Sequence, residues 1–175
     1  MDDLGDVSTA KDDTCTRTTY ADNTAKNILS LPARSEAVSV KCSATPDRKT
    51  QVLADERTSY DNLAFGAAPT KGDATKTERL TSHNGTTGTY QVTGATTYDA
   101  YGRPLTQKDA KQIGTTDETK TVYTETNGLL TSTSVYNALG HATVTDYAQA
   151  WGMSKSARPT RTASAPTSPT TRWAA

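Results

Sequence analysis

Tyr98-Asp99-Ala100-Tyr101-Gly102-Arg103-Pro104-Leu105 is the stretch whose reading decides the fold. The first tyrosine suits the end of a strand, with its ring on the packed face and its hydroxyl free to reach a polar partner. Asp99 can bond its own backbone two residues on and so open a turn. Gly102 supplies the positive φ that closes it. Arg103-Pro104-Leu105-Thr106-Gln107 then reads as the start of a return strand.

The pattern recurs on both sides. Ser59-Tyr60-Asp61-Asn62-Leu63-Ala64-Phe65-Gly66 precedes it, and Val135-Tyr136-Asn137-Ala138-Leu139-Gly140-His141 follows. From Tyr60 to Tyr98 to Tyr136 the step is 38 residues each time, and Thr19-Tyr20-Ala21-Asp22 is a weaker fourth member 40 residues before Tyr60. Self-similarity at a fixed period marks a repeat architecture. In the Tyr60 copy, Ala64-Phe65 delays Gly66 by two positions, which predicts a wider loop.

Second hairpins are expected between these units. Leu80-Thr81-Ser82-His83-Asn84-Gly85-Thr86-Thr87 and Val122-Tyr123-Thr124-Glu125-Thr126-Asn127-Gly128-Leu129-Leu130 both set Asn-Gly between strand-like runs, the strongest short hairpin signal. Each period should therefore hold about two hairpins of roughly 20 residues. Helical periodicity is confined to a single turn within 23–31. The fold class read from the chain is all-β, an antiparallel meander of short hairpins.

Composition agrees with strands and argues against a self-sufficient core. Thr accounts for 35 of 175 residues and Tyr for eight, and both suit a pleated, half-exposed surface. Leu, Ile, Val and Phe number 10, 2, 8 and 1, so burial should depend on neighbouring structure. Nineteen basic residues balance nineteen acidic ones, which gives no attraction for nucleic acid or an anionic membrane surface. No apolar run is long enough for a membrane-spanning helix. The opening residues Met1-Asp2-Asp3-Leu4-Gly5-Asp6 are acidic and do not read as a signal peptide.

Cys15 and Cys42 lie 27 residues apart in Thr/Val-rich stretches. They read as a disulfide joining two strands, or else as two unrelated buried thiols; a metal site would need further ligands that are not nearby.

Catalytic chemistry is sparse. His83 sits beside Asn84-Gly85 and His141 follows Gly140, and each reads as an exposed turn residue. Asp12-Asp13, Asp47 and Asp55-Glu56 could pair for proton transfer, but in Thr-rich surroundings they read as solvated acids. No phosphate loop, nucleophile elbow, metal motif or cofactor motif occurs. Asn84-Gly85-Thr86 matches a glycosylation sequon, to which little weight attaches. The tyrosines recur with the turns and so read as sheet packing more than as sugar platforms. The chain is expected to be non-catalytic.

Tyr98-Asp99-Ala100-Tyr101-Gly102-Arg103-Pro104-Leu105 resembles the YD repeat of RHS-type (rearrangement hotspot) proteins, and Tyr136-Asn137-Ala138-Leu139-Gly140 resembles a close variant. The stretch Thr58-Ser59-Tyr60-Asp61, followed by Gly66-Ala67-Ala68-Pro69-Thr70-Lys71-Gly72-Asp73, is similar to RHS proteins of actinomycetes. The resemblance covers about residues 10 to 153. It implies a β-sheet spiralling into a hollow shell, secreted or at the cell surface, that encloses a C-terminal toxin or effector domain or serves as an adhesive module. The core segment in which toxin-releasing members cut themselves finds no match, so the chain is expected to be wall material from a larger parent. Its partners would be the rest of the shell and the effector domain. The alternative is a carbohydrate- or cell-wall-binding surface built on the same sheet.

Three segments follow: a flexible stretch over 1–13, repeats over 14–153, and a tail over 154–175. The tail holds five Ala, five Thr, four Ser, three Pro and three Arg with no acidic residue, which reads as a disordered linker. Codon degeneracy gives it a second reading. Taken one nucleotide out of frame, Arg158 to Ala175 can be recoded to Gln-Thr-Asp-Pro-Asn-Gly-Lys-Arg-Thr-Asp-Leu-Ala-Tyr-Asp-Ala-Leu-Gly-Arg. That recoding ends in another complete YD motif, and the single Trp codon at Trp173, followed by Ala174, forces its Gly. A frameshift near Met153 is therefore expected in the gene.

Overall fold

A computed structural model describes residues 2–3, 13–148, 152 and 154–160. It is an all-β antiparallel meander, and its one helical element among the described residues is the 3-10 turn Thr24–Lys26. The chain falls into two compact units, Met1–Glu118 and Thr119–Ala175.

The first unit runs β1 (Asp2–Asp3), β2 (Thr14–Asn23), β3 (Ile28–Val38), β4 (Val52–Tyr60), β5 (Ala74–His83), β6 (Gly88–Tyr98) and β7 (Pro104–Asp109), each strand paired antiparallel with the next. The second runs β8 (Thr119–Thr126), β9 (Leu129–Tyr136), β10 (Ala142–Tyr147) and β11 (Ser154–Thr160) in the same manner. Thr and Tyr are placed where their branched and aromatic side chains cover half-exposed pleats.

Aliphatic burial is thin, as the composition predicts. Ala21, Ala33 and Tyr60 form the core cluster, with Leu31, Phe65 and Ala74 against it. Cys15 and Val38 face each other across β2 and β3, both fully buried. Cys15 is disulfide-bonded to Cys42 with Cα atoms 5.0 Å apart. Cys42 belongs to the connection after β3, so the bond ties a strand to a loop, whereas the sequence suggested two strands.

The equal 38-residue steps do not enclose equal structure. From Tyr60 to Tyr98 the chain adds two strands, β5 and β6; from Tyr98 to Tyr136 it adds three, β7, β8 and β9. The repeated object is the turn and its flanking strand ends. Tyr20, the fourth member, is largely exposed within β2, and its neighbour Ala21 takes the buried position.

The first seven residues of the segment read as a disordered tail form β11, in register with β10 from Ala142↔Thr160 to Asp146↔Ser156. Residues 161–175, and with them most of the recoded segment, lie outside the described residues. So do 4–12, the greater part of the expected flexible stretch.

Candidate functional site

Two of the three Tyr-Asp/Asn turns share one set of backbone bonds. In the Tyr98 turn, the Asp99 N–H donates to the Arg103 carbonyl at 2.9 Å and the Gly102 N–H to the Asp99 carbonyl at 3.2 Å. Asp99 Oδ1 accepts the N–H groups of Tyr101 at 2.8 Å and Arg103 at 3.0 Å. The Tyr136 turn repeats this bond for bond: Asn137 N–H to the His141 carbonyl, Gly140 N–H to the Asn137 carbonyl, and Asn137 Oδ1 accepting from Leu139 and His141. The local chemistry is that of an Asx turn, closed by a glycine in the left-handed region at φ +76° and +78°. Arg103 also pairs with Asp99, Nε to Oδ2 at 2.7 Å.

The Tyr60 turn reaches the same strand pairing by a longer path. Tyr60 faces Ala74 as Tyr98 faces Pro104 and Tyr136 faces Ala142. Here the Asp61 N–H donates to the carbonyl of Asp73 at 2.8 Å. Gly72, at φ +94°, holds the place of Gly102, and an added Cβ there would press on Leu31 Cδ1 at 3.1 Å. Gly66 also has a positive φ, +84°, but lies inside the loop. The expected glycine is thus six positions too early.

Asp61 replaces the missing short turn with its carboxylate. It accepts the N–H groups of Thr70 at 2.6 Å, Lys71 at 2.8 Å, Gly72 at 3.1 Å and Asp73 at 2.9 Å. Burial pushes its carboxyl up, and these backbone donors outweigh it, holding the group at about 2. A carboxyl depressed on folding stabilises the fold above its unfolded value, and that contribution disappears as the pH falls through the folded one. Urea stability should therefore drop on acidification from about pH 4 towards 2. Asp61→Ala should lose about 1–2 kcal/mol at neutral pH, the carboxylate being partly solvated, and should flatten that acid limb.

In the first two turns the tyrosine hydroxyl ends on a backbone carbonyl of the preceding strand. Tyr60 Oη donates to Pro32 O at 2.8 Å, and Tyr98 Oη to Ala74 O at 2.9 Å. Asp61, Tyr98 and Asp99 meet around a cleft of about 200 Å³ that Asn62, Thr70, Lys71, Asp73 and Thr75 complete. Asn137 and His141 line a separate opening of about 600 Å³ in the second unit, with Val135, Thr143 and Pro159. No group of three or more His, Cys, Asp or Glu among the described residues could hold a metal ion.

A second cluster was not anticipated. Arg34 lies directly opposite Arg57 across β3 and β4, and Glu36 directly opposite Asp55. Like charges in direct opposition are unfavourable, and the sheet relieves them along the diagonal. Arg34 Nε donates to Asp55 Oδ1 at 2.8 Å, and its Nη2 contacts both Asp55 Oδ2 and Glu36 Oε1. Arg48, from the β3–β4 connection, closes on both oxygens of Glu36. Tyr90 Oη, two strands away on β6, donates to Asp55 Oδ2 at 2.6 Å.

Asp55 and Glu36 are only 1% and 3% exposed. This corrects the solvated reading of Asp55, which sits in a strand, and of Asp13, which is buried with Lys41 at 3.8 Å. Asp47 is exposed and caps its own loop through Lys49 N and Thr50 Oγ1. Asp12 lies outside the described residues. Burial pushes the Asp55 carboxyl up, but Arg34 and Tyr90 more than reverse this. Burial and Asp55 push the Tyr90 hydroxyl up. An ionised Asp55 with both oxygens bonded has no proton to give at neutral pH, and its neighbours are set for structure and charge.

His83 is partly buried at its hairpin, where Nδ1 accepts the Gly85 N–H at 3.0 Å; His141 is exposed. Asn127-Gly128 forms a two-residue turn with both φ values positive, while Asn84-Gly85 sits in a four-residue one. Among the described residues no helix is long and apolar enough to cross a membrane. No protein-family model matches the chain, and no curated protein is significantly similar to it.

Proposed function

We propose that the chain is a structural strand-repeat segment, a piece of the wall of an RHS-like secreted shell that encloses or presents another domain. The observation that carries this reading is the bond-for-bond identity of the Asp99 and Asn137 turns, with Asp61 reaching the same strand pairing by a longer route. In such a turn the Asp or Asn Oδ1 is committed to backbone N–H groups of the turn itself. The turn spaces strands and leaves its carboxylates committed to N–H donors.

The repeat reading makes stability a sum of units and neighbour contacts. Duplicating residues 60–97, which adds two strands and preserves strand polarity, should raise the urea midpoint. An unchanged or lower midpoint in a soluble, folded variant would count against the wall role.

A further inference from the structure

The cluster on β3, β4 and β6 does not balance. Three guanidiniums, Arg34, Arg48 and Arg57, face two carboxylates, Glu36 and Asp55. Arg34 and Arg48 take both carboxylates, which leaves Arg57 with the excess charge. Glu78 stands opposite Arg57 across β4 and β5, but its carboxylate is paired with Lys76 at 3.2 Å. Arg57 makes no ion pair with the described residues, and its Nε is buried without a hydrogen-bond partner.

What Arg57 does have is aromatic surface. Its guanidinium carbon lies 3.4 Å from the Tyr90 ring centroid and 4.5 Å from that of Phe65. Ring contacts hold the flat faces of a guanidinium and compensate part of its charge. They leave its terminal Nη N–H donors unused, and a pair of such donors can grip a planar or tetrahedral oxyanion, while the Nε N–H is shut away from solvent. Arg57 lines an opening of about 370 Å³ together with Arg34, Arg48, His83, Tyr90 and residues Thr86, Thr87 and Gly88 of the neighbouring hairpin. A positive, donor-rich recess of that size is large enough for one acidic group and a sugar-sized body.

We propose that this recess is an anion-binding site, with Arg57 as the principal donor to a carboxylate, sulfate or phosphate group. Arg34 and Arg48 supply field, since their own donors are largely held by Asp55 and Glu36. Tyr90 fixes Arg57 by its ring and Asp55 by its hydroxyl, so the site is built before any ligand arrives.

The test is a titration of the full chain with sodium sulfate, sodium glucuronate and uncharged glucose at constant ionic strength, followed by amide NMR shifts. Saturable shifts at Arg57, Thr86, Thr87 and Gly88 are expected with the anions and not with glucose. Arg57→Gln should weaken binding roughly tenfold or more, and Arg57→Lys, which keeps the charge but loses the paired, stacked donors, should weaken it less. Lys120→Gln, at an exposed position of the second unit, should leave it unchanged. Glucuronate binding tighter than sulfate would identify an acidic sugar, and the reverse a bare oxyanion. No saturable shift in the parent chain, or equal affinity in Arg57→Gln and Arg57→Lys, overturns the proposal.

Discussion

Replacing Asp55 by alanine is expected to remove about 3–5 kcal/mol of folding stability, the range for stripping one partner from a buried ion pair. The residue is 1% exposed and binds Arg34 through both oxygens and Tyr90 through one. Without it, Arg34 stands opposite Arg57 with only Glu36, which Arg48 also claims. The Tyr90 hydroxyl is left facing a gap. A chain with so few buried aliphatic side chains has little to set against that loss. Chemical denaturation of Asp55→Ala beside Asp55→Asn checks this: asparagine keeps shape and one acceptor, so it should recover part of the loss. An Asp55→Ala midpoint within error of the parent would remove the network from the stabilising terms.

Opening the Cys15–Cys42 bond is expected to cost nearly as much. The bond closes a loop over a sequence separation of 27, for which chain-entropy arguments give about 3.5 kcal/mol of denatured-state constraint. It also pins the β2 end, where Cys15 and Val38 are fully buried, to the connection that carries Arg48. The Cys15→Ser/Cys42→Ser double variant, and the parent chain under reductant, should both unfold at markedly lower urea. The Arg48–Glu36 contact should loosen first, visible as faster amide exchange through 41–51. Equal midpoints with and without reductant would show that β2 and β3 hold themselves.

How much of this the sequence disclosed follows the range of each interaction. The turns were legible because their chemistry is local: Asp99 and Asn137 bond groups two and four residues away. The glycine of the Tyr60 turn was misplaced because its closing partner, Asp73, lies twelve residues on, beyond the reach of a short motif. The charged cluster was missed for the same reason. Arg34 and Asp55 are 21 residues apart, and Asp55 and Tyr90 are 35. Asp55-Glu56 looks like ordinary surface charge, although Glu56 is exposed and Asp55 buried. A signal did exist. Arg34 and Glu36 alternate with Ser35 and Ala37, and Asp55 and Arg57 with Glu56 and Thr58, which is what one charged face of two adjoining strands looks like. The strand count per period was hidden because tyrosine spacing measures chain length, and chain length can be spent on loops or on strands.

The Tyr60 turn shows how the chain treats its own rim. Eight residues more than in the other two turns separate Asp61 from its closing partner, yet Tyr60 meets Ala74 just as Tyr98 meets Pro104. The Asp61 carboxylate gathers the returning backbone from Thr70 to Asp73. That makes the exposed tip at Leu63 and Ala64 a natural insertion point: foreign peptide could be displayed there while Phe65 and the fully buried Pro69 keep their places in the packed sheet. The Asp99 and Asn137 turns, cinched within four residues, offer no such port.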